Sequence, residues 1–400
     1  MTKLEQLIEE LCPNGVEFKK VKDVFKRLKG TPITAGKMKE IENPNGEIKI
    51  FAGGKTVINA NETDIPNANI TRVPAVLVQS RGVIDVVYYE KPFTFKNEMW
   101  AYTTDNKTTV KYLYYVLKNN IQHFRDAASG MGSLPQISLP VTEEFYIPIP
   151  PLPVQSEIVR ILDNFTELTA ELTAELTARQ SQYEYYASNM FPSIKKADVK
   201  WIELGEAATV TKLAGFEFTK YVTYSDTGNI IALRGLNVKN GHLVLDDVKY
   251  IDNSNLEMLS RSKLRIGDML FTYVGTVGQV ALIQENDKYY LAPNVALVRI
   301  TDERFLPKYM MYYFLTDKFK QEQIAKLLQA SSMQNIPMEK IRKFKLPLVS
   351  IEEQRKTIDI LDRFDTLCND ISAGLPAEIE ARQKQYEYYR DRLLTFEPAK

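Results

Sequence analysis

The sequence predicts an α+β protein with two globular domains separated by two long antiparallel coiled-coil helices, arranged as a pseudo-two-fold internal repeat. Three observations predict this class. Helical segments recur about 200 residues apart, each copy shows the apolar period of an amphipathic helix, and the blocks between them are rich in β-branched residues and glycine. The length of 400 residues also exceeds what one ordinary core accommodates.

The internal repeat is the strongest feature of the sequence. Two pairs of segments match closely: 147–168 with 346–367, and ARQSQYEYY at 178–186 with ARQKQYEYY at 381–389. The blocks between them correspond more loosely, as KYLYYVL at 111–117 resembles KYMMYYF at 308–314. The helical parts are alike, whereas the blocks between them have diverged. This uneven divergence favours a repeat with a function over a recent duplication without functional symmetry.

Both helical segments have a long apolar stripe. From Gln155, apolar residues recur every three or four positions as far as Leu176, and the helix can run to about Met190. The prolines just before it, including Pro153, are expected to lie outside the helix. In the second copy, the stretch 372–376 is expected to break the helix. Since one long amphipathic helix cannot bury its stripe alone, we expect the two to pair as an antiparallel coiled coil; packing of each on its own domain is the alternative.

The blocks between the helices predict strands. Segments 75–89, 267–283 and 294–300 are β-branched, aromatic and punctuated by glycine, and each block ends with a predicted helix, near 108–127 and 307–329. The predicted organisation has four parts: a first globular domain with an N-terminal helix at 1–147, a central conserved helix at 148–192, a second globular domain at 193–345, and a distal conserved helical region at 346–400.

Composition and motifs exclude several classes. The chain carries 51 basic and 51 acidic side chains, two cysteines and two histidines, so neither a disulfide framework nor a Cys/His zinc site is expected. His123 and His242 are interpreted as solvated or satisfied. The phosphate-binding loop, the hydrolase and zinc-protease motifs and the Asn/Asp-Pro-Pro-Tyr/Phe tetrapeptide of amino-methyltransferases do not occur. Because these catalytic motifs are absent, we expect a non-catalytic protein. No export signal or apolar run of membrane length is present, so we also expect it to be cytoplasmic and without membrane contact.

Local charge is more informative than the total. Segment 16–37 carries seven basic side chains against two acidic ones, and segment 304–345 carries nine against three. Such basic stripes are typical of phosphate contacts, which supply affinity without sequence information.

The two variable blocks alternating with near-identical helices resemble the specificity subunit of type I restriction–modification enzymes. The markers are P-x-P-P-L-x-x-Q-x-x-I-V-x-I-L-D-x-F at 148–165, its partner at 347–364 and the two ARQ-x-QYEYY segments. The tetrads Thr169–Leu172 and Thr173–Leu176, both TAEL, resemble the spacer repeats of one branch of this family. The break at 374–376 departs from strict spacer symmetry.

This resemblance implies that the globular blocks are target recognition domains that bind double-stranded DNA, each reading half of a bipartite site. It also implies two modification subunits carrying S-adenosylmethionine, and restriction subunits using ATP and Mg²⁺. The assembled complex would be a DNA adenine methyltransferase and an ATP-dependent endonuclease, while this chain itself binds no cofactor or metal. The alternatives are the recognition subunit of a stand-alone DNA methyltransferase system, or a coiled-coil adaptor that does not bind DNA.

Base reading requires donors and acceptors on loops. In the first domain the candidate DNA-binding residues are Lys55, Gln79, Ser80, Arg81, Lys96 and Asn97. In the second domain they are Arg234, Thr272, Tyr273, Thr276, Gln279, Asn294, Gln334 and Asn335.

Overall fold

The computed structural model describes residues 2–54, 56–129, 134–196, 199–328, 334–370 and 373–399. The chain forms two compact units. Unit 1 comprises Met1–Leu172 and Ile379–Lys400, and unit 2 comprises Thr173–Glu378. Unit 2 is therefore one continuous stretch of chain, whereas unit 1 joins both ends.

Unit 1 is built from short strands and helices in alternation. Its elements are α1 (Lys3–Leu11), β1 (Phe18–Lys20), α2 (Val21–Val24), β2 (Lys26–Lys29), α3 (Ala35–Glu40), β3 (Ile48–Phe51), β4 (Val57–Ala60), a 3₁₀ turn (Glu62–Asp64), β5 (Ala75–Gln79), β6 (Asp85–Tyr89), β7 (Phe93–Phe95), β8 (Trp100–Thr103), α4 (Lys107–Asn119), α5 (Ile121–Asp126), α6 (Leu139–Glu143) and β9 (Tyr146–Pro148). The long helix α7 (Leu152–Met190) begins in unit 1 and ends in unit 2.

Unit 2 follows the same plan. Its elements are β10 (Lys200–Glu203), α8 (Leu204–Ala207), β11 (Ala208–Lys212), α9 (Gly215–Tyr221), β12 (Ile231–Leu233), a 3₁₀ turn (Gly235–Asn237), β13 (Val238–Lys239), β14 (His242–Leu243), β15 (Lys249–Tyr250), a 3₁₀ turn (Ser260–Ser262), β16 (Met269–Thr272), β17 (Val280–Leu282), β18 (Tyr289–Leu291), β19 (Val295–Ile300), α10 (Pro307–Leu315), α11 (Asp317–Phe319), a π-helical turn (Lys320–Ile324), α12 (Met338–Arg342), β20 (Lys345–Leu348) and α13 (Ile351–Asn369). The last helix, α14 (Leu375–Leu393), leads back into unit 1.

The sheets of the two units have the same topology. Unit 1 has a four-stranded sheet in the order β2-β8-β5-β6, a three-stranded sheet β4-β3-β7 and a pair β1-β9. Unit 2 has the corresponding orders β11-β19-β16-β17, β15-β12-β18 and β10-β20, and in addition the antiparallel pair β13-β14. In each three-stranded sheet the central strand pairs antiparallel with one neighbour and parallel with the other. The predicted α+β class and the internal repeat are therefore confirmed.

Each four-stranded sheet packs against the helix that ends its block. In unit 1, Val76 and Tyr102 of the sheet lie in one buried cluster with Leu113 of α4. In unit 2, Phe271 of β16 packs edge-on against Phe314 of α10, with ring centroids 6.0 Å apart. The alternation of strand residues buries one face against the helix, as the period of two requires.

The conserved helices pair within each unit, and each pair joins one copy of the repeat to the other. In unit 1, Phe165 of α7 stacks on Tyr389 of α14, with centroids 5.6 Å apart. In unit 2, the ring centroid of Phe364 of α13 lies 5.6 Å from the ring centroid of Tyr186 of α7. In both pairs, the phenylalanine of one copy of the repeat thus contacts the tyrosine of the other copy. Pro153 lies in the first turn of α7 rather than before the helix, because first-turn amides have no partner inside the helix.

An aspartate anchors each conserved helix to its unit. In unit 1, Asp163 accepts hydrogen bonds from Lys111 Nζ at 2.7 Å and from the Tyr115 hydroxyl at 2.5 Å. In unit 2, Asp362 accepts the same pair of bonds, from Lys308 at 2.7 Å and Tyr312 at 2.5 Å. In each unit the aspartate lies in one repeated segment and its lysine and tyrosine partners lie in another. The contact between them gives a physical reason why both segments are alike in the two copies.

The two ends of the chain meet in unit 1. Val16 donates from its amide to the Glu397 carbonyl at 2.9 Å and accepts from the Ala399 amide at 3.0 Å. The helix break predicted in the second copy lies between Asn369 and Leu375, although residues 371 and 372 are outside the described chain. Within the described ranges, no helix combines the length and the apolarity needed to cross a membrane.

Candidate nucleic-acid interface

In unit 1, the loop after β5 carries three of the predicted base-reading residues. Gln79 and Ser80 are buried. Gln79 Nε2 donates to the Gly54 carbonyl at 3.0 Å, and Ser80 Oγ donates to the Glu98 carbonyl at 2.5 Å. Arg81 is exposed, and its guanidinium makes no hydrogen bond or ion pair with any residue that the structure describes. The loop therefore presents the arginine and uses its neighbours to hold the backbone.

Backbone hydrogen bonds fix this loop against the segment 134–137. The Gly82 amide donates to the Pro135 carbonyl at 2.8 Å, and the Ile137 amide donates to the Ser80 carbonyl at 2.9 Å. Gly82 has φ +80°, in the left-handed region where a Cβ atom is strained. The turn is consequently well defined even though it lies at the surface.

Unit 2 repeats this turn after β16. The Gly275 amide donates to the Gln334 carbonyl at 3.0 Å, and the Ile336 amide donates to the Tyr273 carbonyl at 2.9 Å. Gly275 has φ +79°. The segment 334–336 thus holds the loop as 135–137 does in unit 1, and it brings the predicted Gln334 and Asn335, both exposed, beside the turn.

Several predicted residues of unit 2 hold this loop together. The Thr272 hydroxyl donates to the Thr276 carbonyl at 2.5 Å and accepts from the Gln279 amide at 2.9 Å. Gln279 Oε1 accepts from the Asn240 amide at 2.9 Å. Burial raises the pKa of Tyr273. Only Thr276 among these predicted residues has an exposed position.

A groove of about 500 Å³ collects the predicted residues of unit 2. Its lining includes the predicted residues Arg234, Thr272, Thr276 and Asn294, and the apolar or aromatic residues Phe218, Tyr224, Leu236 and Val274. A concave surface with a few polar groups on an apolar wall can contact base edges through hydrogen bonds and methyl groups.

Arg234 is already engaged inside the unit. Its guanidinium donates to the Asp247 carbonyl at 2.9 Å and to the Asp247 carboxylate at 2.8 Å. Its Nε is buried without a hydrogen-bond partner. Arg234 therefore stabilises the wall of the groove and has fewer donors for a ligand than Arg81.

The apolar wall of this groove was not among the predicted residues. Tyr224 is 40% exposed and Leu236 is 51% exposed. Leu236 directly follows Gly235, but its side chain has no donor or acceptor that would mark it as a base-reading residue. The available signal was the aromatic-rich run GFEFTKYVTY at 215–224.

Unit 1 has a groove of about 560 Å³ near the other predicted residues. Asn97 is exposed in it, and its lining also contains Arg27, Lys29 and Asn69. Lys96 is paired with Glu98 at 2.8 Å. Lys55, the remaining predicted residue, lies outside the described residues.

The basic stripes are partly neutralised by acidic side chains. In segment 16–37, Lys20 and Lys22 both pair with Glu144, and Arg27 lies 3.5 Å from Glu143. Exposed ion pairs of this kind contribute little to stability. Phosphate groups could therefore replace these carboxylates at little energetic cost.

The two histidines occupy ordinary surroundings, as predicted. His123 is exposed on α5, and His242 Nε2 lies 3.1 Å from the Asp365 carboxylate. That hydrogen bond raises the pKa of His242. Among the described residues, no group of three or more His, Cys, Asp or Glu side chains could hold a metal ion.

Comparison with known proteins gives a consistent result. A family model described as the type I restriction modification DNA specificity domain matches residues 13–179 and 197–381. The chain is 34% identical over 311 residues to the specificity subunit of the Escherichia coli type I restriction enzyme EcoR124I/EcoR124II, covering 73% of this chain and 72% of that protein. It is 32% identical over 315 residues to a putative type I specificity subunit of Haemophilus influenzae, covering 76% and 77%.

Solved structures support the fold. The S subunit of a type I restriction–modification system from M. genitalium aligns with a TM-score of 0.61 at 15% identity, covering 95% of this chain and 96% of that chain. A protein from a structural study of type I restriction–modification assembly aligns with a TM-score of 0.57 at 14% identity, covering 96% and 98%.

Proposed function

Because this chain belongs to the type I restriction–modification DNA specificity family, we propose that it recognises a bipartite DNA sequence and directs methylation and restriction by partner subunits to that sequence. The observation that carries the proposal is that the family model matches both halves of the repeat, at 13–179 and 197–381. In this proposal, 1–147 and 193–345 are the two target recognition domains, and 148–192 and 346–400 are the conserved helical regions.

The matched turns support base recognition by the two domains. In each unit, a surface loop follows one of the two inner strands of the four-stranded sheet, β5 in unit 1 and β16 in unit 2, and is held by the same two backbone hydrogen bonds. Reading a base edge requires side chains held in a defined geometry, which a rigid scaffold supplies better than a mobile loop. The candidate DNA-binding residues of both domains are retained in this proposal as a set.

In this proposal, the partner subunits carry out the methylation and cleavage reactions. The specificity-subunit family is non-catalytic and binds no cofactor itself. Two modification subunits would supply S-adenosylmethionine for adenine methylation, and restriction subunits would supply ATP hydrolysis, Mg²⁺ and cleavage. The conserved helical regions are the parts of the chain we assign to these partners.

Methylation mapping tests the proposal. A methylation-deficient host expressing the chain with its modification subunits should gain adenine methylation at one bipartite motif, and a host lacking this chain should not. The purified complex should also bind a duplex containing that motif with an affinity that falls steeply as salt rises. Methylation that is unchanged when the chain is removed would refute the proposed function.

A further inference from the structure

The matched turns place two unlike side chains at equivalent positions. Arg81 forms an isolated β-bridge with Gln136, and Val274 forms one with Asn335. In each turn the next residue is a glycine with nearly the same φ, +80° at Gly82 and +79° in unit 2. Arg81 and Val274 therefore occupy equivalent backbone positions, although their side chains differ completely in chemistry.

The residues before them are also equivalent. Ser80 and Tyr273 are both buried, and the carbonyl of each accepts the amide of an isoleucine at 2.9 Å. Beyond these buried residues, Arg81 is exposed and Val274 is partly exposed, so both side chains reach the surface. Each of these side chains thus extends from a backbone that hydrogen bonds hold in place.

The chemistry of the two positions differs in a way that DNA can distinguish. Arg81 is exposed and makes no polar contact with the residues that the structure describes, so its donors are free to meet the O6 and N7 acceptors of guanine. Val274 has no donor or acceptor in its side chain; it lies half-buried, packs against the hydrophobic core of unit 2 and lines the groove with Leu236 and Tyr224. Such a wall favours the methyl group of thymine, which is the apolar feature of the major groove.

We propose that Arg81 and Val274 are equivalent specificity-determining residues with different preferences. Arg81 selects a guanine in the half-site read by unit 1, and Val274 selects a thymine methyl group in the half-site read by unit 2. This inference rests on the proposed function, because it assigns bases within a bipartite site.

Modified bases test the arginine directly. The assembled methylation complex is titrated with its motif duplex and with duplexes in which each guanine in turn is 7-deazaguanine, which lacks the N7 acceptor. One such duplex should bind the wild-type complex about 2- to 12-fold more weakly, because it lacks one of the two acceptors of a bidentate contact that contributes about 5- to 150-fold. Complexes carrying Arg81→Val should bind that duplex and the unmodified duplex equally, because the valine side chain has no donor for N7.

The valine is tested in the same way with deoxyuridine, which is thymidine without the methyl group. At one position of the other half-site, this replacement should weaken wild-type binding by about fourfold, the equivalent of one buried methyl group. Val274→Ala should remove this sensitivity. Val274→Arg should replace the thymine by a guanine at the same position of the methylation motif.

The controls separate this inference from the function on which it rests. Arg72→Val removes another exposed arginine of unit 1, one already paired with Glu62, and should leave the motif unchanged. If the wild-type complex has a bipartite motif but Arg81→Val keeps full sensitivity to 7-deazaguanine, Arg81 does not contact that guanine and the inference is wrong. The inference is also wrong if Arg81 and Val274 variants alter the same half-site. Absence of any motif in the wild type would instead contradict the proposed function.

Discussion

The aspartate anchors make the stability of each unit depend on one carboxylate. We predict that Asp163→Asn destabilises unit 1 and that Asp362→Asn destabilises unit 2 by a similar amount. In the wild type, each carboxylate accepts a tyrosine hydroxyl at 2.5 Å and a lysine ammonium at 2.7 Å. The amide keeps the shape of the side chain and removes its charge.

The magnitude follows from these two bonds. A hydrogen bond to a charged group contributes about 1.5–3 kcal/mol and a neutral one about 0.5–1.5 kcal/mol, so neutralisation costs about 1–1.5 kcal/mol at the tyrosine. The side chain of Lys111 is 29% exposed and that of Lys308 is 46% exposed, which limits the share of each lysine pair to about 0.2–1 kcal/mol. The expected loss is therefore about 1–3 kcal/mol in the free energy of opening of the affected unit.

Hydrogen–deuterium exchange measures this loss unit by unit. Asp163→Asn should speed exchange of the protected amides in α4 by about 5- to 150-fold and leave α10 unchanged, since local opening follows the free energy of the unit. Asp362→Asn should show the reverse pattern. Asp359→Asn, an exposed aspartate on the same helix as Asp362, is the matched control and should change neither. Equal effects of Asp359→Asn and Asp362→Asn would refute the anchoring role.

Three further predictions concern pH, spacing and modularity. Bonds from Arg160 and Lys3 lower the pKa of Glu157 to about 2, below its ordinary 4.5, so its contribution to stability is present above pH 4.5 and is lost as the pH falls toward 2. Denaturation at several pH values should show a smaller acid loss in Glu157→Gln, and an identical pH profile would contradict this role. Insertion of one further TAEL after Leu176 adds about 6 Å of helix and should lengthen the unspecified spacer of the motif by roughly one to two base pairs. Methylome sequencing checks this, and unchanged spacing would mean that the helix is not the ruler. Replacement of 16–147 by the block of a relative should change one half-site of the methylation motif only, whereas changes in both halves from assembled complexes would contradict modular reading.

Regular features of the fold were predictable from the sequence. The repeat predicted two alike domains, and the period of three to four residues predicted α7 almost to its last residue, Met190. The strands β5, β6, β16 and β17 lie within the segments predicted as strands. These features depend on local patterns, namely apolar period, β-branched composition and glycine punctuation, which a sequence displays directly.

The details of the candidate site depend on contacts between distant residues. Arg234 was predicted as a reading residue, but its guanidinium bonds to Asp247, and Gln79 bonds inward to Gly54. The equivalence of Arg81 and Val274 emerges only from pairing with segments more than 50 residues further along the chain. Such pairings leave no mark in the local sequence, because a turn residue looks the same whether it points inward or outward.

The joining of both chain ends in unit 1 sets an order of events during synthesis. All of unit 2, Thr173–Glu378, leaves the ribosome before the residues that complete unit 1. Until Ile379–Lys400 appears, Val16 lacks its backbone partners at Glu397 and Ala399, and Phe165 lacks the ring of Tyr389. A growing chain can therefore complete unit 2 first, while part of the apolar surface of unit 1 stays uncovered until residues 379–400 have been synthesised. Unit 1 is thus the first unit to be synthesised and the last to be completed. Premature termination anywhere before residue 379 leaves unit 1 incomplete even when its first 172 residues are intact.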